Sequence, residues 1–408
     1  MTTWTIQRLG RRGDGVAVAE DGQKALAALT LPGEVIAGEA LEGRIATPRI
    51  LTPSADRVRP ICGHYRACGG CSLMHASDGF TTDWKRQVVE TALHAQGLDA
   101  PIEGVHVSPP RSRRRAVFSG RRTKKGALVG FHVRASDVIA DLTDCHVIRP
   151  EIQAALPLLR QIVAVGASRN AELSIVVIHG PAGLDVAITG GKPMDATLFQ
   201  TLAGLAELGD LARLDWGGQS ITRRTPALPM GRAQVVPPAA AFLQATAEGE
   251  AALRQAVMRI TEGAARIADL YAGIGTFTLP LAERAEVHAV EGLAAPLTAL
   301  DAGWRAAAGR HRITTETRDL ARNPLLADEL ARFDAIVIDP PRAGAAQQAT
   351  QIAGSAIETV AFVSCDPVNF ARDSRILTES GFVMSQLTLV DQFRWSPHIE
   401  TVAEFRRR

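Results

Sequence analysis

The chain has 408 residues, of which 46% are hydrophobic and 22% charged; this excludes an intrinsically disordered protein and leaves room for two or three folded domains. No apolar run approaches the roughly 20 residues of a membrane-spanning helix, and the opening MTTWTIQRLGRR lacks the apolar stretch of a signal peptide, so a cytoplasmic protein with no membrane partner is expected. The net charge of +2 is too small to attract nucleic acid by itself, and any such affinity has to come from local basic patches.

Residues 1 to about 50 alternate short apolar segments with turn signals such as Gly13-Asp14-Gly15 and Leu31-Pro32-Gly33-Glu34, the pattern of a small β domain. Its spacing suits an OB-type barrel that binds nucleic acid and equally a β cap with a purely structural role. Next comes Cys62-Gly-His-Tyr-Arg-Ala-Cys68-Gly-Gly-Cys71, and Cys145 can supply a fourth sulfur. An odd total of five cysteines without an export signal argues against a disulfide framework and for thiolate or metal chemistry. An iron-sulfur cluster and a structural zinc site both remain open on spacing alone. His64, His75 and His146 lie nearby and are expected to be ordinary loop histidines making hydrogen bonds.

The run from Thr82 to Gln96 has helical spacing, with Trp84, Val88, Val89, Ala92 and Leu93 on one stripe and Gly97 as the stop. The segment from Arg111 to Lys125 carries eight basic and no acidic residues. It reads either as a solvated face or as an ordered strand whose arginines track nucleic-acid phosphates, in which case Arg113, Arg114 and Arg115 should serve nucleic acid and leave cofactor affinity alone. A helix over Glu151 to Val165 and strands over Leu173 to His179 and Leu184 to Thr189 suggest an α+β middle region. Pro226, Pro229, Pro237 and Pro238 then read as a linker.

Beyond a helix from Glu248 to Glu262, Ile267-Ala-Asp-Leu-Tyr271-Ala-Gly273-Ile-Gly275-Thr276 is strand, acidic residue, Gly-x-Gly turn and helix. That order seats a nucleotide-like cofactor at the start of a doubly wound sheet. A second strand from Glu286 ends at Glu291, whose carboxylate can hold a ribose diol. Thr278 occupies the position where a dinucleotide fold needs its third glycine, which favours S-adenosylmethionine over NAD. The remaining order is helix from Ala294 to Ala308, strand from Arg312 toward Asp319, helix, strand to Asp339, helix, strand to Ser364, helix from Val368 to Ser380, and two closing strands. Such βα alternation predicts a mostly parallel sheet. Two buried strands end abruptly at Asp339-Pro340-Pro341-Arg342 and at Ser364-Cys365-Asp366-Pro367, so both tips are expected at one crevice, with Cys365 as a nucleophile instead of a packed thiol.

In the motifs CGHYRACGGC with a distant Cys145, DLYAGIGTFTLPLA, IDPPRAG, SCDP, and DQF followed by HIE, the chain resembles the iron-sulfur RNA uracil-C5 methyltransferases over nearly its whole length. That family makes 5-methyluridine in 23S ribosomal RNA or in transfer RNA. The resemblance implies an α/β protein with a TRAM-like OB β domain (1–50), an α+β RNA-binding domain with a [4Fe-4S] cluster (51–240) and a Rossmann-like methyltransferase domain (241–408). It implies cluster ligation by Cys62, Cys68, Cys71 and Cys145. Methyl-donor contacts are implied at Gln244, Tyr271, Thr276, Glu291, Asp319 and Asp339. The chain departs from the family at Thr246 and Thr276, where Asn is common, and at Arg394, where Pro follows DQF.

The chemistry agrees with that resemblance. Carbon 5 of uracil is too weak a nucleophile to be methylated directly, so a thiolate, here Cys365, must first add to carbon 6. A base must then remove the carbon 5 proton, and Glu400 is the candidate. Asp339 either orients methyl donor and uracil or merely closes its strand. The expected partner is 23S ribosomal RNA, with transfer RNA second, on a monomeric enzyme. A non-catalytic iron-sulfur RNA-binding protein is the alternative from another class. An amino-group methyltransferase is disfavoured because Arg342 stands where an aromatic residue would stack the base.

Overall fold

Alternating burial in the first fifty residues (GVAVA is buried at every second position) gives each strand one apolar face. Thr2–Leu9, Gly15–Ala19, Lys24–Ala27, Val35–Gly38, Arg44–Ile45 and Arg49–Thr52 form a six-stranded sheet closed over Trp4, Ile6, Ile36 and Ile45. The computed structural model in which this is seen describes residues 2–307 and 311–407. The buried Glu34 accepts from the N–H groups of Leu31 and Ser54 and from Arg57, and so ties this sheet to the loop that follows it.

A seven-stranded sheet occupies the middle of the chain, with Arg115–Arg122 and Glu172–Gly180 at its centre. Two helices, Leu156–Gly166 and Ala196–Leu208, pack against it. The helix expected over 151–165 is divided at Ala155, because Pro157 has no N–H to donate and is accommodated only in the first turn of a new helix.

The third sheet has eight strands in the order Ile313–Thr317, Glu286–Glu291, Arg266–Leu270, Ala335–Ile338, Thr359–Ser364, Glu400–Arg407, Phe382–Asp391, Ile102–Val107. Every adjacent pair is parallel except the two made by Glu400–Arg407. The strands at its centre are buried on both faces, as their unbroken apolar runs require. Strand order reverses between Arg266–Leu270 and Ala335–Ile338, and a ligand crevice is expected beyond the carboxyl ends there. Among the described residues no helix is long and apolar enough to cross a membrane.

Several expectations change on contact with the structure. The proline-rich stretch is no linker: Leu228–Met230 and Ala233–Val235 form a hairpin whose Leu228, Met230, Ala233 and Val235 lie in the core of the eight-stranded sheet. Pro229 misled because it sits at the outward position of a short two-stranded edge, where a missing N–H costs nothing. The helix expected after the Gly-x-Gly turn is a single turn, Thr278–Leu281. Helix Asp78–His94 begins ahead of Thr82, because the Ser77 hydroxyl accepts the N–H of Phe80 as an N-cap. The helix drawn to Ala308 spans Ala294–Ala306, and Ala308 lies outside the described residues. Ile102–Val107 joins the C-terminal sheet although it precedes the middle one, so a division of the chain at 241 does not follow the sheets.

Helix Asp78–His94 also delivers Lys85, fully buried, to the loop after Phe382–Asp391. Its ammonium lies 2.6 Å from Asp391 and donates to the carbonyl of Phe393 at 3.2 Å. Two desolvated charges are stable here only as a pair. Lys85→Ala is therefore expected to cost about 3–5 kcal/mol in urea unfolding, and Lys85→Met with Asp391→Asn to recover most of it. A loss in Lys85→Met alone no larger than that in the double variant would show that the pair with Asp391 is not what Lys85 provides.

Candidate active site

The turn after Arg266–Leu270 is shaped by backbone conformations that side chains resist: Tyr271, Gly273 and Gly275 all have positive φ, at 62°, 55° and 97°. A Cβ on Gly273 would meet nothing within 4 Å, whereas one on Gly275 would press on Leu279 and Leu300 at 3.0 Å. The first glycine thus leaves space for a ligand and the second lets the turn pack. The N–H groups of Gly273 and Leu293 donate to the two oxygens of Glu291, each at 3.1 Å, and hold that carboxylate at its strand tip. Asp319 stands beyond the next strand, close enough for its charge to help burial push the Tyr271 phenol up to about 12. Thr276 is half-buried in the turn itself. Tyr271, Thr276, Glu291, Asp319 and Asp339 therefore share the carboxyl edge of the sheet, and Gln244 reaches them from outside it, its amide 3.4 Å from Asp339.

Asp269, within the same strand, has a different part. It is wholly buried, takes the Thr278 hydroxyl at 2.5 Å, leaves its other oxygen unpartnered, and is pushed up to about 7 by burial. Burial, followed by the charge of Asp269, raises Asp339 to about 7 as well.

Strand register assembles the second half of the site. Ala335–Ile338 lies beside Thr359–Ser364, and Ser364 is paired with Thr401, so the next residue, Cys365, stands beside Glu400. Asp366 accepts the N–H groups of Val368 and Asn369 at 3.1 Å and Pro367 opens the helix, which stops the strand at Ser364, just before Cys365. The Cys365 thiol is pushed up to about 12 by burial, then by the charges of Glu400 and Asp339, against the opposing pull of Arg342. Glu400 is buried and raised to about 8, mainly by desolvation and then by Asp339. His398 lies 3.1 Å from Arg342 and is held down to about 4 by burial and neighbouring cations, which makes it a weak base.

Cys62, Cys68, Cys71 and Cys145 line one cavity of about 590 Å³ together with Arg12, Arg113 and Phe393. None is in a disulfide, and burial raises the thiols of Cys68, Cys71 and Cys145, with the sulfurs' mutual charges adding to it. Gly69 is packed so that a Cβ would lie 2.9 Å from the His132 carbonyl, and the Gly70 N–H donates to Cys68 Sγ at 3.4 Å. Among the described residues no three His, Cys, Asp or Glu side chains are drawn together tightly enough for a single metal ion. The three histidines have other partners: His64 meets Thr143, His75 meets Tyr65, and His146 meets Asp144.

The arginine-rich segment departs from the phosphate-groove expectation. Arg113 lies over the Phe393 ring at 5.5 Å, Arg114 pairs with the buried Glu250 and donates to the Gln244 carbonyl, and Arg115 donates to the carbonyl of Ala241. These guanidinium groups clamp the middle sheet to the segment carrying Gln244, so they cannot be indifferent to the crevice. Two further residues belong to the site without having been assigned a role from sequence. Gln392, in the DQF motif, donates to Gln244 at 2.5 Å and to Glu400 at 3.3 Å, and Lys85 fixes the loop that carries it.

With this geometry in view, residues 310–408 match the tRNA (uracil-5-)-methyltransferase family model. An RNA methyltransferase of Caulobacter vibrioides is 42% identical over 417 residues, spanning 100% of both chains. The 23S rRNA (uracil(1939)-C(5))-methyltransferase of Halomonas elongata is 31% identical over 428 residues, 97% of this chain and 88% of that one. The crystal structure of Pyrococcus abyssi tRNA (uracil-54, C5)-methyltransferase in complex with S-adenosyl-L-homocysteine superposes with a TM-score of 0.75 over 99% of both chains at 19% identity, a likeness of fold.

A carboxyl raised on folding binds its proton more tightly in the folded chain. The stability it contributes is complete below its unfolded value, about 4.3, and is lost as the pH rises through about 8. Glu400→Gln removes this loss, so its melting temperature relative to wild type should climb by several degrees between about pH 5 and about pH 8.5 in scanning calorimetry. A difference that stays flat across that range would contradict the desolvation of Glu400.

Proposed function

The chain belongs to the RNA (uracil-5-)-methyltransferases, which take their methyl group from S-adenosylmethionine, and we propose that it modifies carbon 5 of a uridine in 23S ribosomal RNA through a covalent adduct on Cys365. The observation that carries this reading is the register that sets Cys365 beside Glu400 and within the field of Asp339. Transfer RNA is the second candidate substrate, and the ribosomal reading is supported by the full-length relative in Halomonas elongata.

In the free chain Cys365 is a protonated thiol, so its proton has to leave as the sulfur attacks. Asp339, far more basic than an ordinary carboxylate and within the field of Cys365, is the acceptor at hand, which leaves Glu400 free for the later step. Attack forms the sulfur–carbon 6 bond and moves the ring electrons to carbon 5. Carbon 5 then takes the methyl group from the sulfonium, leaving S-adenosylhomocysteine. Glu400 removes the remaining carbon 5 proton, the carbon 5–carbon 6 double bond returns, and Cys365 leaves as thiolate. The target uridine must be unstacked for its carbon 6 to meet the sulfur, which favours loop uridines. On the donor side, Glu291 is oriented to hold the ribose diol, Tyr271, Thr276 and Asp319 edge the adenosine seat, and Gln244 with Asp339 faces the methionine end.

Cys62, Cys68, Cys71 and Cys145 fit a [4Fe-4S] cluster: four free sulfurs surround one cavity, with glycines where the backbone runs closest. When bound, the cluster would cross-link the 62–71 loop to the 145 segment, and methyl transfer requires no redox step from it. We assign RNA recognition to the N-terminal sheet and the middle region, methyl transfer to the C-terminal sheet, and action in the cytoplasm as a monomer.

Cys365→Ala should form neither 5-methyluridine nor adduct. Glu400→Gln should trap a methylated protein–RNA species and slow product release by about 10²–10⁴-fold. A denaturing gel with labelled methyl donor reads both, and near-wild-type turnover without adduct in Glu400→Gln would remove Glu400 as the base. Protein purified without oxygen should contain about four irons per chain; stoichiometric zinc and no iron would sink the cluster assignment.

A further inference from the structure

We infer that Gln392 is a positioning residue that joins the methyl-donor side of the site to the base, through a chain of amide hydrogen bonds whose polarity is set by one backbone N–H. The inference rests on the reading that Gln244, Asp339 and Glu400 serve methyl transfer. Gln392 is 2% exposed, and its partners Gln244, Thr246 and Glu400 are at most 4% exposed, so water cannot substitute for the contacts they make.

An amide side chain can be turned end for end, and only its partners tell which end is which. Here one partner has no freedom: the Thr246 N–H is a donor and nothing else, and it points at Gln392 Oε1 at 3.4 Å. The NH2 end of Gln392 must therefore face Gln244 Oε1 at 2.5 Å and Glu400 Oε1 at 3.3 Å. With its own oxygen engaged, Gln244 must turn its NH2 end to Asp339 at 3.4 Å. Both carboxylates consequently receive an N–H, and each is held with one oxygen engaged and the other left for a proton or a substrate.

The anchor is itself well fixed. Thr246 caps helix Ala247–Ile260 through Gly249 and shares a 2.7 Å hydrogen bond with the Ser108 hydroxyl. A Cβ on Gly249 would come within 2.8 Å of the Gln392 Cβ, so glycine there allows the close seat. On the other side Lys85 clamps Asp391, the residue before Gln392. The groups that face Glu400 are Asp339, Cys365 and Arg342, besides Gln392 itself. Of these, Gln392 and Arg342 favour the ionised base and Asp339 opposes it.

Gln392→Glu keeps the shape but removes both donations, Gln392→Met removes the whole polar end, and Gln392→Asn retains a shorter amide. Binding of S-adenosylhomocysteine, followed by calorimetry without RNA, should weaken by about tenfold in the Glu and Met variants, the scale of one lost hydrogen bond to a charged or buried group. In single-turnover methylation the pH at half-maximal adduct breakdown should move up by about one unit, because Glu400 loses a partner that stabilises its charge. Gln392→Asn should restore part of both. The inference is overturned if S-adenosylhomocysteine binds all variants as it binds wild type. It is also overturned if the variants only melt earlier and lose rate uniformly, with the pH limb unmoved, which would mark Gln392 as packing. Wild-type enzyme that makes no 5-methyluridine defeats the proposed reaction, and the calorimetric comparison then decides the inference by itself.

Discussion

The antiparallel insertion of Glu400–Arg407 between Thr359–Ser364 and Phe382–Asp391 is the constraint on which the crevice depends. In an all-parallel sheet every strand would bring its carboxyl end to the crevice. The inserted strand instead presents its amino end, so its first residue, Glu400, stands where its neighbour's last residue gives way to Cys365. A two-residue change in pairing would carry Glu400 about 7 Å along its neighbour. The buried runs on both strands resist such slippage, and a one-residue slip would exchange faces.

That arrangement concentrates negative charge in a poorly solvated place. Asp269, Asp339 and Glu400 are all raised by desolvation, and the charge of Asp339 reinforces the effect on Glu400. Burying carboxyl groups in this way weakens the fold at neutral pH and above, and the surrounding hydrogen bonds offset it only in part. The arrangement leaves basic carboxylates beside a thiol, which suits proton transfer at neutral pH far better than exposed carboxylates would. Perturbed groups gathered at strand tips are a mark of chemistry and not of stability.

How much of this could be read from the residues depended on range. The parallel strands, the Gly-x-Gly turn and the SCDP stop have local signatures, and Asp366 and Pro367 end their strand through capping and fixed φ that any reader of helix starts can see. Long-range pairing has no such signature. The joining of Ile102–Val107 to the sheet edge, the burial of the Leu228–Val235 hairpin in the C-terminal core, and the engagement of Arg113, Arg114 and Arg115 by ring, carboxylate and carbonyl partners all depend on residues far away in sequence. Composition also misled: eight positive charges in fifteen residues suggested phosphate, whereas Arg114 and Arg115 fasten the middle sheet to the 241–250 segment. Gln392 escaped notice because a glutamine announces nothing until its three hydrogen-bond partners are known.

The loop between Phe382–Asp391 and Glu400–Arg407 joins the two halves of the molecule's chemistry. Its first residue, Gln392, and the strand residue after it, Glu400, face the crevice, while Phe393, Arg394 and His398 line the cysteine cavity. The Trp395 carbonyl accepts the N–H groups of Ser72 and Leu73 at 2.7 and 3.0 Å, directly after Cys71. A displacement of the 62–71 loop thus pulls on the segment that carries the proposed base. Lys85 opposes such movement from the other side, and Arg394 adds contacts to Asp78 and to the Ser108 carbonyl. Were the four cysteines to hold a group, it would need to exchange no electrons to matter at Cys365: by fixing one end of this loop it would limit where Glu400 can stand.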